Sequence, residues 1–155
     1  MKFTHLLLAI ILLLFILVFT TGASSDLDFA NANLVRTVES DYLRDMKEAK
    51  KTNKIWIVKV GAEWCPPCKA LDRDIEKYYK DTVIYTKVES SSSLAKKLSK
   101  EYVKLGEKIV SGIPDWAILV LNKEGKYSYR KRMEPGYKGI SQLRSEISKA
   151  KNNRK

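Results

Sequence analysis

Histidine is almost missing from this chain of 155 residues. The single one, His5, stands just before an apolar N-terminal run. If that segment is removed, no histidine remains. Ser-His-Asp and Cys-His nucleophilic catalysis, a histidine general base and His-ligated zinc then drop out together. Cysteine is scarce as well. Cys65 and Cys68 are three positions apart, with no third thiol to compete for either. Long hydrophobic runs are limited to one, Leu6 to Val18, about the length of a signal-peptide core and short for a membrane span. Disorder is excluded from the other side: the hydrophobic fraction is 45%, ordinary for a globular chain, and the length is that of one domain.

The N-terminal residues 1–23 read as an export signal. Lys2 is the only charge before the apolar run, and the small residues Thr20, Thr21, Gly22, Ala23 and Ser24 follow it. Cleavage after Ala23 fits the small-residue rule. No cysteine follows the run, so a lipoprotein anchor is not available. Left uncleaved, residues 6–23 would act as a membrane anchor. Either way the folded part is expected in the periplasm or another extracytoplasmic space.

Acidic residues are too few to balance the basic ones, and the formal charge is +11. The basic residues are nevertheless scattered. Lys47, Lys50, Lys51 and Lys54, then Lys96, Lys97 and Lys100, then Lys149, Lys151, Arg154 and Lys155 are mostly interleaved with acids at helical spacing. That is the pattern of solvated helix faces. No nucleic-acid motif accompanies it, and no nucleic-acid partner is expected.

Residues 24–33 are polar and small and read as a linker or short first strand. Apolar positions 34, 35, 38, 42, 43, 46 and 49 keep a helical period to Lys51. A β-rich run follows at Ile55–Val60, then a helix over Pro66–Lys80, a strand at Val83–Val88 and a helix over Leu94–Val110. The strand Trp116–Leu121, the turn Asn122–Gly125, the strand Lys126–Met133 and the helix Ile140–Ala150 complete residues 34–150. Residues 151–155 read as a basic tail. Ser90–Ser93 reads as a helix-capping loop. Strands that alternate with helices predict parallel pairing, and the last two strands a hairpin. The class is α/β, a mixed central sheet with helices on both faces.

The chemistry concentrates at Trp64-Cys65-Pro66-Pro67-Cys68-Lys69, after a strand and at the start of a helix. Disulfide exchange needs two thiols close enough to bridge, one of them exposed and partly ionised. Cys65, near the N-cap and facing solvent, is the expected nucleophile, because a helix N-terminus favours a thiolate. Cys68, one turn in and more buried, is the expected resolving thiol. Pro66 and Pro67 suit the first helical turn but remove two N–H donors that could stabilise the thiolate. The pair should therefore lean toward reducing its partners. A structural disulfide, a two-thiolate metal carrier and a redox-inactive binding or chaperone module are the other readings of the same two cysteines.

Ala62-Glu63-Trp64-Cys65-x-Pro67-Cys68-Lys69 resembles the active-site segment of the thioredoxin family. Gly112-Ile113-Pro114, directly before an apolar strand, resembles the cis-proline loop of that family, and Gly136 its glycine before the last helix. The resemblance spans roughly Leu34 to Ala150. It is strongest to exported bacterial thioredoxin-like proteins, through the signal and the continuation Cys68-Lys69-x-Leu71-x-Arg73-Asp74. It implies a thioredoxin-like fold and a protein-disulfide reductase with a Cys65–Cys68 redox disulfide. It also implies a cis Ile113–Pro114 bond, and a substrate groove formed by Trp64, Pro66, Pro67, Ile113 and Pro114. Pro114 would keep metal off the thiols, so neither metal nor cofactor is expected. Exported protein disulfides are the implied substrates of a monomer, re-reduced by a membrane-bound electron donor. One departure stands out. Where the family often places a buried Asp, six residues before the first cysteine, this chain has Lys59. Lys59 either faces the site and takes part in proton transfer, or turns outward and leaves that work to Glu63 or water. Lys87 falls near a second charge position of the family.

Overall fold

The computed structural model describes residues 25–106, 112–133 and 135–154, with side chains from Glu39 onward except Tyr102. The expected export signal, residues 1–23, and residues 107–110 of the expected third helix lie outside the described residues. Chain packing divides at residue 36, and the account below concerns the unit Thr37–Lys155. The elements of the chain run α1 (Ser25–Thr52), which enters this unit at Thr37, β1 (Ile55–Gly61), α2 (Pro66–Tyr78), β2 (Val83–Glu89), α3 (Ser93–Lys104), β3 (Asp115–Leu121), β4 (Tyr127–Arg132) and α4 (Ile140–Asn152).

The sheet order is β2-β1-β3-β4. β1 pairs parallel with β2, while β1–β3 and β3–β4 are antiparallel. The sheet is mixed, as expected, but β3 does not continue the parallel set. α3 stops at Lys104, and residues 105–114 separate it from β3, which enters from the opposite end.

Strand alternation builds two cores. Side chains of successive strand residues point to opposite faces. Ile55 and Ile57 of β1 join Trp116, Ile118 and Val120 of β3 against Leu71 and Ile75 of α2 and Leu143 and Ile147 of α4. Trp56 and Val58 join Ala117, Leu119 and Leu121 against Ala49 of α1 and Leu94 and Leu98 of α3. Both faces of β1 and β3 are therefore covered, which is why their sequences are apolar on both faces apart from Lys59 and Asp115. Truncating a fully buried leucine such as Leu71 to alanine is expected to cost about 2–5 kcal/mol. A buried polar chain ties α1 to the sheet: Trp56 Nε1 donates to Thr86 Oγ1 at 2.8 Å, and that hydroxyl donates to Asp45 Oδ2 at 2.7 Å.

Three boundaries correct the sequence reading. Residues 25–33, expected as a linker or short strand, are helical and extend α1. Ala30 and Ala32 have a high helix propensity. α3 is shorter than the expected helix to Val110, and Leu105 lies beyond its end and is exposed. α4 continues into the expected basic tail as far as Asn152. Ala150 is buried, and Asn153 turns its amide back onto the Lys149 carbonyl at 2.8 Å. The Ser90–Ser93 loop does cap a helix: Ser92 Oγ accepts from the Ala95 N–H at 3.1 Å.

Candidate functional site

β1 ends at Gly61, and the chain turns through Ala62-Glu63-Trp64 into α2. Cys65 is the N-cap, with extended backbone, and its sulfur accepts from the Cys68 N–H at 3.3 Å. Pro66 and Pro67 occupy the first two helical positions, where a missing N–H costs nothing. Cys65 and Cys68 are joined as a disulfide.

The expected exposure of Cys65 is not found. Only 2% of its surface is accessible, because Cys65 packs with Ala62, Cys68 and Ile113. Trp64 is what reaches solvent, at 76%. Pro66 and Pro67 are exposed, Ile113 is half-buried and Pro114 is buried. The Ile113–Pro114 peptide is cis. This loop is braced from below. The Gly136 N–H donates to the Pro114 carbonyl at 3.1 Å, and Trp116 Nε1 donates to the Gly136 carbonyl at 3.1 Å. Gly112, at φ 153°, lies so close to Pro135 that a Cβ would meet the ring at 3.1 Å. Asp115, next to Pro114, is held by Arg132 Nε at 2.9 Å and by a second hydrogen bond from Nη2.

Lys59 does not turn outward. Strand alternation places it on the α2 face of β1, in line with Ile55 and Ile57, and only 5% of it is exposed. Its Nζ meets Asp72 Oδ1 at 2.6 Å. Tyr85 donates its hydroxyl to the same oxygen, and Lys87 Nζ lies 3.6 Å from Oδ2. Burial pushes the Asp72 carboxyl up. Hydrogen bonds from Lys59 and Tyr85 and the charges of Lys59 and Lys87 outweigh it, and hold the group below the usual carboxylate range. The Tyr85 phenol is pushed up, by burial first and then by its bond to Asp72. Glu63, the other candidate for proton work, is exposed.

Gly61 shows how near this pair comes to the sulfurs. A Cβ there would lie 2.9 Å from Cys68 Sγ and 3.3 Å from Lys59 Cε. The lysine stem and the inner sulfur crowd one point, and only glycine leaves room for both. A cleft of about 460 Å³, lined by Lys59, Gly61, Glu63, Asp72 and Lys87 among others, opens this corner to water.

Asp72 and Tyr85 were not among the residues singled out from the sequence. Two signals pointed to them. Asp72 follows Cys68 by four, hence lies on the same helix face. Tyr85 and Lys87 alternate with Val83, hence face α2. Among the described residues no group of acidic, cysteine and histidine side chains could hold a metal ion, and no helix is long and apolar enough to cross a membrane.

Residues 42–151 match the family model of the thioredoxin-like domain. A thioredoxin from Thermus thermophilus is similar in structure, with a TM-score of 0.53 at 16% identity, over 70% of this chain and 82% of that one. The germline-specific thioredoxin Deadhead of Drosophila melanogaster superposes with a TM-score of 0.51 at 18% identity, over 72% of this chain and 92% of that one. No curated protein matches the sequence.

Proposed function

Since this chain belongs to the thioredoxin-like domain family, we propose that it is a thiol–disulfide oxidoreductase that reduces disulfides of exported proteins. One observation carries the reading: the Cys65–Cys68 disulfide sits at the N-cap of α2 with Trp64, Pro66 and Pro67 exposed around it. A disulfide serving only as a staple has no use for an exposed tryptophan and two prolines at its rim.

In the reduced protein the Cys65 thiolate attacks one sulfur of a partner disulfide. A Cys65–partner bond forms, the partner S–S bond breaks, and the first partner thiolate leaves. The Cys68 thiolate then attacks Cys65 Sγ, re-forming the Cys65–Cys68 bond and releasing the second partner thiolate. Two electrons pass from the cysteine pair to the partner, and two thiol protons go with them. The exposed Trp64 and the Ile113 backbone, which border the buried Cys65, are where the partner would be held while its sulfur approaches. The N–H that reaches Cys65 Sγ is that of Cys68, since Pro66 and Pro67 have none. Sparse donation of this kind leaves the thiolate less stabilised and favours reducing chemistry. Export rests on the N-terminal residues 1–23, and a membrane-bound donor would return the electrons.

Insulin reduction in the presence of dithiothreitol tests the activity. The wild type is expected to precipitate insulin chains and Cys65→Ser to lose that activity. A wild type that binds peptides without turnover would make the protein a binding module with a structural disulfide.

A further inference from the structure

Cys68 is fully buried and must attack as a thiolate, so some group has to make a buried negative charge tolerable. The polar and charged groups that border the adjoining cleft are few. From β1 comes Lys59, and from α2 come Asp72 and Lys69. From β2 come Tyr85, Lys87 and Glu89, and Glu63 stands in the connecting turn. The residue packing there from the 112–114 loop, Ile113, is apolar. Three lysines face three carboxylates, so the formal charges cancel and placement decides. Lys59 is the cation whose stem touches the same point as Cys68 Sγ, at Gly61.

A buried lysine left alone loses its proton or turns out to water. Asp72 prevents both. It stands one helical turn below Cys68, bonds Lys59 Nζ at 2.6 Å, and is itself fixed by Tyr85 and Lys87. We propose that Asp72 is a positioning residue that holds the Lys59 ammonium beside Cys68, where it stabilises the thiolate that resolves the mixed disulfide. The inference rests on the exchange activity proposed above. It reverses the simplest expectation for a carboxylate near a thiol, which is that its charge opposes ionisation.

That reversal gives a test by sign. Reduced protein is mixed with an aromatic disulfide that releases coloured thionitrobenzoate. The first release reports attack by Cys65. The second reports attack by Cys68 on the Cys65 sulfur, and its rate is followed against pH. Lys59→Met is expected to raise the midpoint of the second release by roughly one pH unit or more. Asp72→Asn is expected to raise it in the same direction, and Asp72→Glu to keep it near the wild-type value. In the Lys59→Met background, Asp72→Asn should raise it no further, because the two act as one unit. Tyr85→Phe, which loosens Asp72 without changing any charge, gives a smaller upward shift and serves if Asp72→Asn does not fold. A midpoint that falls or stays put in Asp72→Asn, or in Tyr85→Phe where that variant stands in, overturns the proposal. A wild type lacking a second release would instead overturn the exchange reading, and this inference with it.

Discussion

Two ion pairs with equally buried cations brace the sheet, and they do different things. Lys59–Asp72 joins β1 to α2, and Arg132–Asp115 joins β4 to β3; the cation is 6% exposed in each. The arginine grips both oxygens of its carboxylate with a planar, permanently charged fork, which fixes the strand end that carries Pro114. The lysine offers a point charge on a flexible stem, bonded to one oxygen and bordering a water-accessible cleft. An arginine pair freezes geometry, whereas a lysine pair leaves a charge that can respond. The responsive one lies beside the sulfurs.

The largest expected effect breaks the rigid pair. Arg132→Leu leaves Asp115 unpaired and mostly buried, and should cost about 3–5 kcal/mol in urea denaturation. If the comparison holds, the pH midpoint of Cys68 attack in the folded fraction stays where it was. Lys59→Met should do the converse. Asp72 is 27% exposed against 14% for Asp115 and is more readily rehydrated, so the same denaturation experiment should show a smaller loss than Arg132→Leu, while the midpoint rises. A larger stability loss for Lys59→Met would collapse the distinction between the pairs.

Acid unfolding sharpens the contrast further. The folded Asp72 carboxyl lies below its unfolded value, so its contribution is complete above the ordinary carboxylate range, near pH 4, and disappears as pH falls through the folded value. The stability gap between wild type and Lys59→Met should therefore shrink between pH 6 and pH 2. A constant gap would mean that Asp72 does not feel Lys59. The smallest effect belongs to the exposed pair Lys80–Glu76. Lys80→Ala should change stability by less than about 1 kcal/mol, which calibrates what an ion pair does without burial.

The two cysteines, the prolines of the first turn and the order of the elements were legible because each rests on a local signal: spacing, a missing N–H, or a period of two or 3.6 residues. Lys59 was legible as a departure but not as a direction. Whether a lysine turns in or out depends on what waits for it, and Asp72 becomes its partner only once α2 is laid across β1. The burial of Cys65 escaped for a related reason. An N-cap position favours solvent exposure, but Ile113, nearly fifty residues away, closes over the sulfur. β3 was placed on the wrong pairing rule because alternation of strands and helices carries no information about which end of the sheet the chain enters.

The tryptophans make the molecule its own indicator. Trp56 and Trp116 are buried in opposite cores, with both indole N–H groups bonded, whereas Trp64 stands in solvent next to the disulfide. The emission of the first two is expected to report whether the protein is folded, and that of the third, exposed to water and adjacent in sequence to Cys65, to change when the bridge opens. A single unlabelled sample would then carry two signals, one for structure and one for electrons.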